Sequence, residues 1–305
     1  MEKLEARFHE TLFDDMLSNG SIYPAFQPII DLKSGAVAGF EVLARWDDRE
    51  FGEIPPIAFI PLVEKFGLLS RLSCHLIRQA CKVAVSWPGP VALAFNISPA
   101  QFQGAGLPQL IAAAAHESDF PLSQLRIEIT ESAIVMDETE ARAAIGELKA
   151  LGIQIYLDDF GTGFSSLTRL RSLPFDKIKI DGSFVATMLT SRDSRKIVSS
   201  IVGLGHSLGV PIIAEGIETK MEADLLKKLG CDFGQGFFFG RPTRAEHVPD
   251  MLNALGAQTR EPGPLDLSCN IKIAQLEALY ANAPIGVCFI DREDRLVNAN
   301  TLFAK

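Results

Sequence analysis

The sequence contains no apolar run of membrane-spanning length and no excess of positive charge. A transmembrane helix needs about 20 consecutive apolar residues, so no segment is predicted to cross a bilayer. Residues 1–18 mix charges with apolar residues at helical spacing, which predicts a helix and not a signal peptide. The formal net charge of −9 excludes a general affinity for duplex nucleic acid, whose phosphates require a basic surface.

Cysteine and histidine are too few and too scattered for a zinc site or a disulfide framework. The five cysteines include no Cys-x-x-C pair, and we interpret them as buried thiols in a reducing cytoplasm. The five histidines stand singly in helix-like stretches and are interpreted as surface or core residues. We therefore expect a cytoplasmic protein whose metal sites, if it has any, are built from oxygen ligands.

The sequence does contain a regular alternation of strand-like and helix-like segments. Strands are predicted at residues 23–30, 37–45, 91–97, 125–130, 153–157, 177–180, 210–214 and 232–239. The first two are separated by six residues, which predicts a hairpin, because a parallel crossover needs a dozen residues or more. About eight strands in roughly 240 residues favour an α/β fold, a TIM-like (β/α)8 barrel with an antiparallel first strand.

The predicted domain organisation has four parts. Residues 1–20 are expected to form an N-terminal helix and residues 21–256 the barrel. Residues 257–270 include Pro262 and Pro264 and are typical of a linker. Residues 271–305 form a short C-terminal α+β fragment that resembles the opening of a PAS sensor domain. We expect further signalling domains beyond Lys305, or alternatively an extension that packs on the barrel.

Polar residues end seven of the predicted strands in succession. Such barrels collect their catalytic groups at the carboxyl ends of the strands. Glu41 shares strand parity with Leu43 and Arg45, as expected for one inward-facing row. Helix capping does not explain so many polar ends, and the pattern predicts one site. The residues are Glu41, Arg45, Asn96, Glu128, Glu131, Asp158, Asp159, Lys179, Asp181, Glu215 and Gln235.

The acidic pair Asp158-Asp159 follows a short apolar run and precedes Gly161 and Gly163. Taken alone, this stretch is equally well explained as an acidic turn that caps the next helix. A nucleotide-binding loop is disfavoured because no downstream ribose-binding acid is evident. A kinase is excluded because neither a His-Arg-Asp loop nor a glycine-rich loop precedes the Asp-Phe-Gly triplet.

The oxygen ligands in this set favour a hard divalent cation, Mg²⁺ or Mn²⁺. Two such ions that share a carboxylate can activate water and stabilise in-line displacement at phosphorus. Lys179 and Arg45 could then neutralise phosphate charge or orient the water. The candidate ligands suffice for two ions and are Glu41, Asn96, Glu128, Asp158, Asp159 and Glu215.

As a set, these segments resemble the EAL domain over about residues 23–255. The matching segments are Glu41–Trp46, Phe95–Ser98, Glu128–Glu131, Asp158–Ser166, Lys177–Asp181, Ala214–Glu218 and Gln235–Pro242. The resemblance implies a TIM-like barrel that hydrolyses the bacterial messenger cyclic di-GMP to linear pGpG with Mg²⁺ or Mn²⁺. Val42 replaces the alanine that names the family, and its strand parity directs it toward the helices.

The resemblance also implies the role of each residue. One ion would be held by Glu41, Asn96, Glu128 and Asp158, and the second by Asp158, Asp159 and Glu215. Lys179 would contact the attacking water or the phosphate, and Glu131 would brace the loop after Asp159. Gln27, Leu43 and Arg45 would line the substrate groove, with Asp181 as a further candidate, while Glu218 and Gln235 would support the site. A homodimer formed near that loop is expected.

Two other functions remain open from the sequence. The chain could be a receptor that binds cyclic di-GMP without hydrolysing it. Family members of that kind lack several metal carboxylates or have a degenerate loop, and this sequence has neither fault. A third possibility is a metal-dependent barrel enzyme acting on carbon acids, with Lys179 as the base.

Overall fold

The computed structural model describes residues 5, 7–102, 106–131, 138–161, 173–258, 288–290 and 296–299. The chain divides into two compact units, Met1–Arg260 and Glu261–Lys305. Among the described residues, no helix is both long and apolar enough to cross a membrane.

The first unit is built on a closed barrel of eight strands. The order around the barrel is β1-β9-β8-β7-β6-β5-β4-β2, and β1 pairs with β2 to close it. β1 runs antiparallel to both neighbours, and the others are parallel to one another. This confirms the predicted TIM-like α/β barrel with an antiparallel first strand. The strands are β1 (Ile22–Asp31), β2 (Val37–Asp48), β3 (Gly52–Ile54), β4 (Leu93–Asn96), β5 (Leu125–Thr130), β6 (Gln154–Phe160), β7 (Lys177–Ile180), β8 (Ile212–Ala214) and β9 (Phe233–Gln235).

Helices cover the outside of the barrel, and local sequence signals mark several of their ends. Pro56 opens α2, where a missing N–H costs nothing. Thr219 and Glu222 form a capping box at the start of α8. The described helices are α1 (Glu10–Ser18), α2 (Pro56–Lys65), α3 (Leu69–Ala84), α4 (Leu107–His116), α5 (Glu138–Ala150), α6 (Gly182–Thr187), α7 (Arg192–Leu208), α8 (Lys220–Leu229) and α9 (Val248–Gln258).

Three details differ from the sequence prediction. The strand β3 was not predicted, because three residues are too few to show strand periodicity; it pairs antiparallel with β2 outside the closed barrel. The strand β6 extends through Phe160, so both acids of the Asp158-Asp159 pair lie within it. The helix α9 continues through Gln258 and therefore runs into the predicted linker of residues 257–270.

The hydrophobic core has an outer layer between barrel and helices and a smaller cluster inside the barrel. Val42 belongs to the outer layer, as strand parity predicted. The inner cluster comprises Ile29, Ala94, Tyr156 and Ile213. A separate cluster packs α1 against the end of β2 and includes Phe13, Trp46 and Phe59. Trp46 therefore packs beneath the N-terminal helix.

The second unit is described only by one antiparallel hairpin. Its strands are β10 (Cys288–Ile290) and β11 (Leu296–Ala299). Residues 271–287 of the predicted α+β fragment lie outside the described residues.

Candidate active site

Lys179 lies at the centre of the carboxyl end of the barrel. Ile178 and Ile180 pack in the outer core, so the alternation of β7 turns Lys179 inward, where its side chain is fully buried. Its Nζ lies 2.5 Å from Glu128 Oε2 and 2.6 Å from Glu215 Oε1. Asp158 Oδ1 is 3.3 Å away and Glu41 Oε2 3.6 Å away. One ammonium group therefore faces four carboxylates contributed by four different strands or strand ends.

Glu41 is fixed by two amide side chains. Asn96 Nδ2 donates to its Oε1 at 2.6 Å, and Gln235 Nε2 donates to its Oε2 at 2.5 Å. Gln235 Nε2 also lies 3.0 Å from Gln27 Oε1, and Gln27 Nε2 donates to the carbonyl of Gly240. These hydrogen bonds favour the ionised form of Glu41. Because Asn96 uses its amide nitrogen in the bond to Glu41, its amide oxygen remains able to bind a cation.

Asp158, Asp159 and Glu215 form a group of acids that could hold a metal ion. Ligand atoms from all three lie within 4.8 Å of one another. The register between β6 and β7 shifts after Leu157, and Asp159 adopts a left-handed backbone with φ of 55°. Its N–H donates to Asp158 Oδ1 at 2.9 Å. The bulge lets adjacent acids contribute to one site although a regular strand would turn them to opposite faces.

The electrostatics of this cluster are set by burial and by the balance of charges. Burial raises the pKa of Glu215 to about 8 and the pKa of Glu128 well above its usual range, despite Lys179. Burial also raises the pKa of Asp159, with Asp158 adding to the effect. Although burial alone would raise the pKa of Glu41, Lys179 and the two amides lower it. The pKa of Lys179 lies well above its usual range because the carboxylates outweigh desolvation.

A cleft of about 330 Å³ opens above this cluster. It brings together most of the residues predicted from the sequence, while Glu128 and Lys179 lie buried. Phe237 and Gly216 also line the cleft and were not predicted as site residues. The predicted residues in its lining are Gln27, Glu41, Leu43, Asn96, Asp158, Glu215, Glu218 and Gln235.

Six predicted residues do not line the cleft: the buried Glu128 and Lys179, Asp159 of the acid group, and also Arg45, Asp181 and Glu131. Arg45 donates to the carbonyl of Ala44 and lies 3.7 Å from Glu53. Asp181 caps α6 by accepting the N–H of Ser183 at 3.0 Å. Glu131 is buried, and its Oε2 has no hydrogen-bond partner among the described residues. The loop it was expected to brace, residues 162–172, lies outside the described residues.

Glu222 is a supporting residue that the sequence analysis did not identify. It is buried, and its Oε2 accepts the N–H groups of Glu218 and Thr219, both at 2.8 Å. It therefore fixes the loop that carries Glu218 and follows Glu215. The Thr-x-x-Glu spacing of a capping box was a signal that could have indicated it.

Comparison with known proteins identifies the family. The EAL domain model matches residues 10–242, so the chain belongs to the EAL domain family. The cyclic di-GMP phosphodiesterase RocR of Pseudomonas aeruginosa is 35% identical over 237 residues, which cover 77% of this chain and 60% of RocR. The oxygen sensor protein DosP of Escherichia coli is 38% identical over 245 residues, which cover 79% of this chain and 31% of DosP.

A solved structure of the MucR phosphodiesterase in complex with c-di-GMP has the same fold. Its TM-score is 0.73 at 35% identity, and the match covers 78% of this chain and 100% of that one. The EAL enzyme Bd1971, bound to cAMP and cyclic-di-GMP, gives a TM-score of 0.74 at 31% identity, with 82% of this chain and 68% of that chain covered. Several relatives are much longer: the chain spans 28% of a signalling protein of Caulobacter vibrioides with which it shares 42% identity.

Proposed function

We propose that this protein is a cyclic di-GMP phosphodiesterase, a phosphoric diester hydrolase that converts the messenger to linear pGpG. The observation that carries the proposal is the position of the acids around Lys179 at the floor of a cleft. The similarity to RocR and to the c-di-GMP complex of the MucR phosphodiesterase supports the choice of substrate.

The acids fit two Mg²⁺ or Mn²⁺ ions. The oxygen-only donor set suits hard cations. Glu128 Oε1 is buried without a hydrogen-bond partner among the described residues, as expected for an oxygen that awaits a cation. We assign Glu41, Asn96, Glu128 and Asp158 to one ion, and Asp158, Asp159 and Glu215 to the other. When bound, such ions lower the pKa of water and neutralise charge on the phosphate.

The protein side chains would position the reacting groups and accept the proton of the attacking water. Asn96 and Gln235 hold Glu41 in one rotamer and keep it ionised. Lys179 neutralises excess carboxylate charge, and its raised pKa keeps it protonated, so it is unsuited to act as a base on a carbon acid. Glu215 or Asp159, in its ionised form, would accept one proton from the attacking water. As the water oxygen bonds to phosphorus, the bond from phosphorus to the 3′ oxygen breaks, and the 3′ oxygen takes a proton from solvent to become the hydroxyl of linear pGpG. The remaining predicted residues, Leu43, Arg45, Asp181, Glu131 and Glu218, would position substrate or loops around these groups.

We extend the proposal to the assembly and to the remainder of the chain. Homodimerisation near the loop after β6, the linker at residues 257–270 and a PAS-like module from residue 271 remain predictions from the sequence. The greater length of RocR and DosP is consistent with an EAL domain that works beside other domains. Molecular mass in solution tests the dimer.

Turnover by the purified protein tests the enzyme. Incubation with cyclic di-GMP and Mg²⁺, followed by chromatography, is expected to yield pGpG, and EDTA is expected to stop its formation. Glu41→Ala removes a proposed ligand and should abolish the product. Glu50→Ala, an exposed glutamate paired with Arg7, is the matched control and should retain activity. Tight binding without pGpG would replace the enzyme by a receptor, and full activity of Glu41→Ala would overturn the metal assignment.

A further inference from the structure

Lys177 is an interior lysine at the amino end of the barrel, opposite the cleft. It opens β7 and is half-buried. Its Nζ lies 3.3 Å from the centroid of the Phe233 ring and 5.4 Å from that of the Tyr156 ring. In the part of the chain that the structure describes, no carboxylate oxygen lies within salt-bridge distance of this nitrogen. The amino group therefore has aromatic rings beside it and no acid paired with it.

The acids at this end of the barrel are committed to other donors. Lys149, another lysine at this end, donates to both carboxylate oxygens of Asp176, at 2.7 Å and 2.8 Å. Asp232 and Asp31 accept backbone N–H groups, at 2.8 Å and 2.7 Å. The charges of Asp232 and Asp31 raise the pKa of Lys177, although neither acid forms an ion pair with it. Lys149 thus has a carboxylate partner, whereas Lys177 has none among the described residues.

Arg126 faces the same part of the interior from β5, where it shares strand parity with the inward-facing Glu128. Its Nη1 donates to the carbonyls of Ser123 and Leu125, at 2.6 Å and 2.8 Å. Its Nε is buried and has no hydrogen-bond partner among the described residues. A buried N–H without an acceptor costs free energy, and few native donors are left in that state. The Nε–H of Arg126 therefore indicates an acceptor that belongs at this end of the barrel.

The surroundings of Lys177 favour its neutral, nucleophilic form. Burial and the positive charge of Arg126 lower its pKa from 10.5 to about 8, against the charges of Asp232 and Asp31. Tyr156, which faces it from β6, has a pKa of about 12 and is neutral at pH 8. At pH 7 the neutral fraction of Lys177 is roughly 300-fold that of an ordinary lysine, because each pKa unit is a factor of ten. Only the neutral amine has a lone pair for nucleophilic attack.

We propose that the amino group of Lys177 is a carbamylation site for carbon dioxide. The nitrogen lone pair forms a bond to the carbon of CO2, one C=O electron pair moves to oxygen, and the nitrogen releases one proton to solvent. The product is a carbamate with one negative charge, which supplies the acceptor that the Nε–H of Arg126 lacks. CO2 is small and uncharged, which suits a half-buried amine. The modification is independent of the proposed phosphodiesterase activity.

Chemical trapping on the wild-type protein tests the modification. The protein is incubated at pH 8 with isotopically labelled bicarbonate, which supplies CO2, and then treated with triethyloxonium tetrafluoroborate, which converts a carbamate into a stable ethyl ester. Peptide fragmentation in the mass spectrometer should place the labelled ethoxycarbonyl group on Lys177. The paired Lys149 and the exposed Lys33 are internal controls and should carry about a hundredth of that label or less. Absence of label on Lys177, or equal label on Lys33, would overturn the proposal.

Two variants test the nucleophile and its partner separately. Lys177→Arg keeps the charge and removes the nucleophile, so bicarbonate should raise the midpoint of thermal denaturation of the wild-type protein and not that of this variant, relative to chloride at equal ionic strength. Arg126→Met removes the guanidinium. At pH 10 the amine form of Lys177 predominates with or without that charge, so label at least about tenfold lower in Arg126→Met would show that Arg126 stabilises the carbamate. Equal label in both proteins would overturn the pairing with Arg126.

Discussion

Two lysines of one strand, Lys177 and Lys179, have opposite environments. Both point into the barrel from β7, two positions apart. Lys179 faces four carboxylates, and its pKa is raised well above the usual range. Lys177, at the amino end of the strand, has its Nζ 3.3 Å from the Phe233 ring centroid and 5.4 Å from that of Tyr156. Burial lowers its pKa to about 8.

The difference teaches that partners, and not depth alone, decide the charge of an interior lysine. Desolvation disfavours the ammonium form of both residues. At Lys179 the carboxylates reverse the effect of desolvation on the pKa. At Lys177 the charge of Arg126 adds to desolvation, and Asp232 and Asp31 do not offset the two. The carboxyl end of the barrel thus contains a network of opposite charges around Lys179. At the amino end, the ammonium group of Lys177 lies against the aromatic rings of Phe233 and Tyr156.

The largest expected effect follows from removing the central cation. Lys179→Met leaves buried carboxylates without their partner, so the metal-free protein should lose about 3–5 kcal/mol of unfolding free energy. Activity should fall at least about 10²- to 10³-fold because the charge balance around the substrate is lost. Thermal denaturation with and without Mg²⁺ and product chromatography measure both. Unchanged stability in EDTA would contradict the ionic-network description.

The acids of the network should make metal binding depend on pH. Burial raises the pKa of Glu215 from 4.5 to about 8, and those of Glu128 and Asp159 also rise. Cations bind the ionised acids, so metal binding displaces protons. For each proton displaced, Mg²⁺ affinity should rise by up to about tenfold per pH unit until the pH reaches about 8. Calorimetry in buffers of different protonation enthalpy measures the released protons. An affinity independent of pH between 6 and 8 would refute this.

The same pKa shifts determine whether the stability of the metal-free protein rises or falls with pH. An acid whose pKa is raised by folding stabilises the folded state at low pH and loses that contribution as pH rises. From its two pKa values, Glu215 should lower the free energy of unfolding progressively between about pH 4.5 and 8. Saturating Mg²⁺ should abolish this decline, and chemical denaturation at several pH values checks it.

Removing the other lysine should have a smaller effect of the opposite sign. Below pH 8 the charged Lys177 opposes folding because its pKa falls from 10.5 to about 8. The ring contacts offset part of that cost, so Lys177→Met should stabilise the protein by about 1 kcal/mol. The gain should shrink as pH rises from about 8 toward 10.5, and activity should stay within about twofold. Destabilisation at pH 7 would show that the rings outweigh desolvation.

The smallest expected effect concerns the residue beside Lys177. Tyr156 belongs to the inner hydrophobic cluster and pairs with Lys177 across β6 and β7, and burial raises its pKa to about 12. Tyr156→Phe keeps the ring and removes only the hydroxyl, so stability should change by about 1 kcal/mol or less. Mg²⁺ affinity should stay within about twofold. A larger loss of metal affinity would mean that the two ends of the barrel are coupled.

The sequence was sufficient for the barrel, because strand periodicity is a local pattern. It also placed the acids at one end of that barrel, while their catalytic and metal-binding roles stay predictions. Strand parity placed Glu41 inside and Val42 outside, and the structure agrees. The ionic network around Lys179 could not be predicted, since it joins side chains from strands far apart in the chain. The lowered pKa of Lys177 likewise depends on burial by neighbouring strands and on the charge of Arg126, which no local pattern relates to it. The strand β3 and the role of Glu222 were missed because each rests on only a few residues.

The left-handed backbone at Asp159 means that a substitution here is restricted in two ways, by the charge of the side chain and by its tolerance of a positive φ. Asp and Asn adopt φ values near 55° more readily than other residues with a side chain. Asp159→Asn would therefore change the ligand charge with little backbone strain, whereas Asp159→Glu would keep the charge and add strain. The requirement for a negative charge and the requirement for a left-handed backbone can be separated by measuring the unfolding free energies of these two variants without metal. Equal values would show that the backbone conformation does not restrict this position. Only aspartate combines the negative charge with tolerance of the left-handed backbone, so few substitutions at this position should preserve both metal binding and stability.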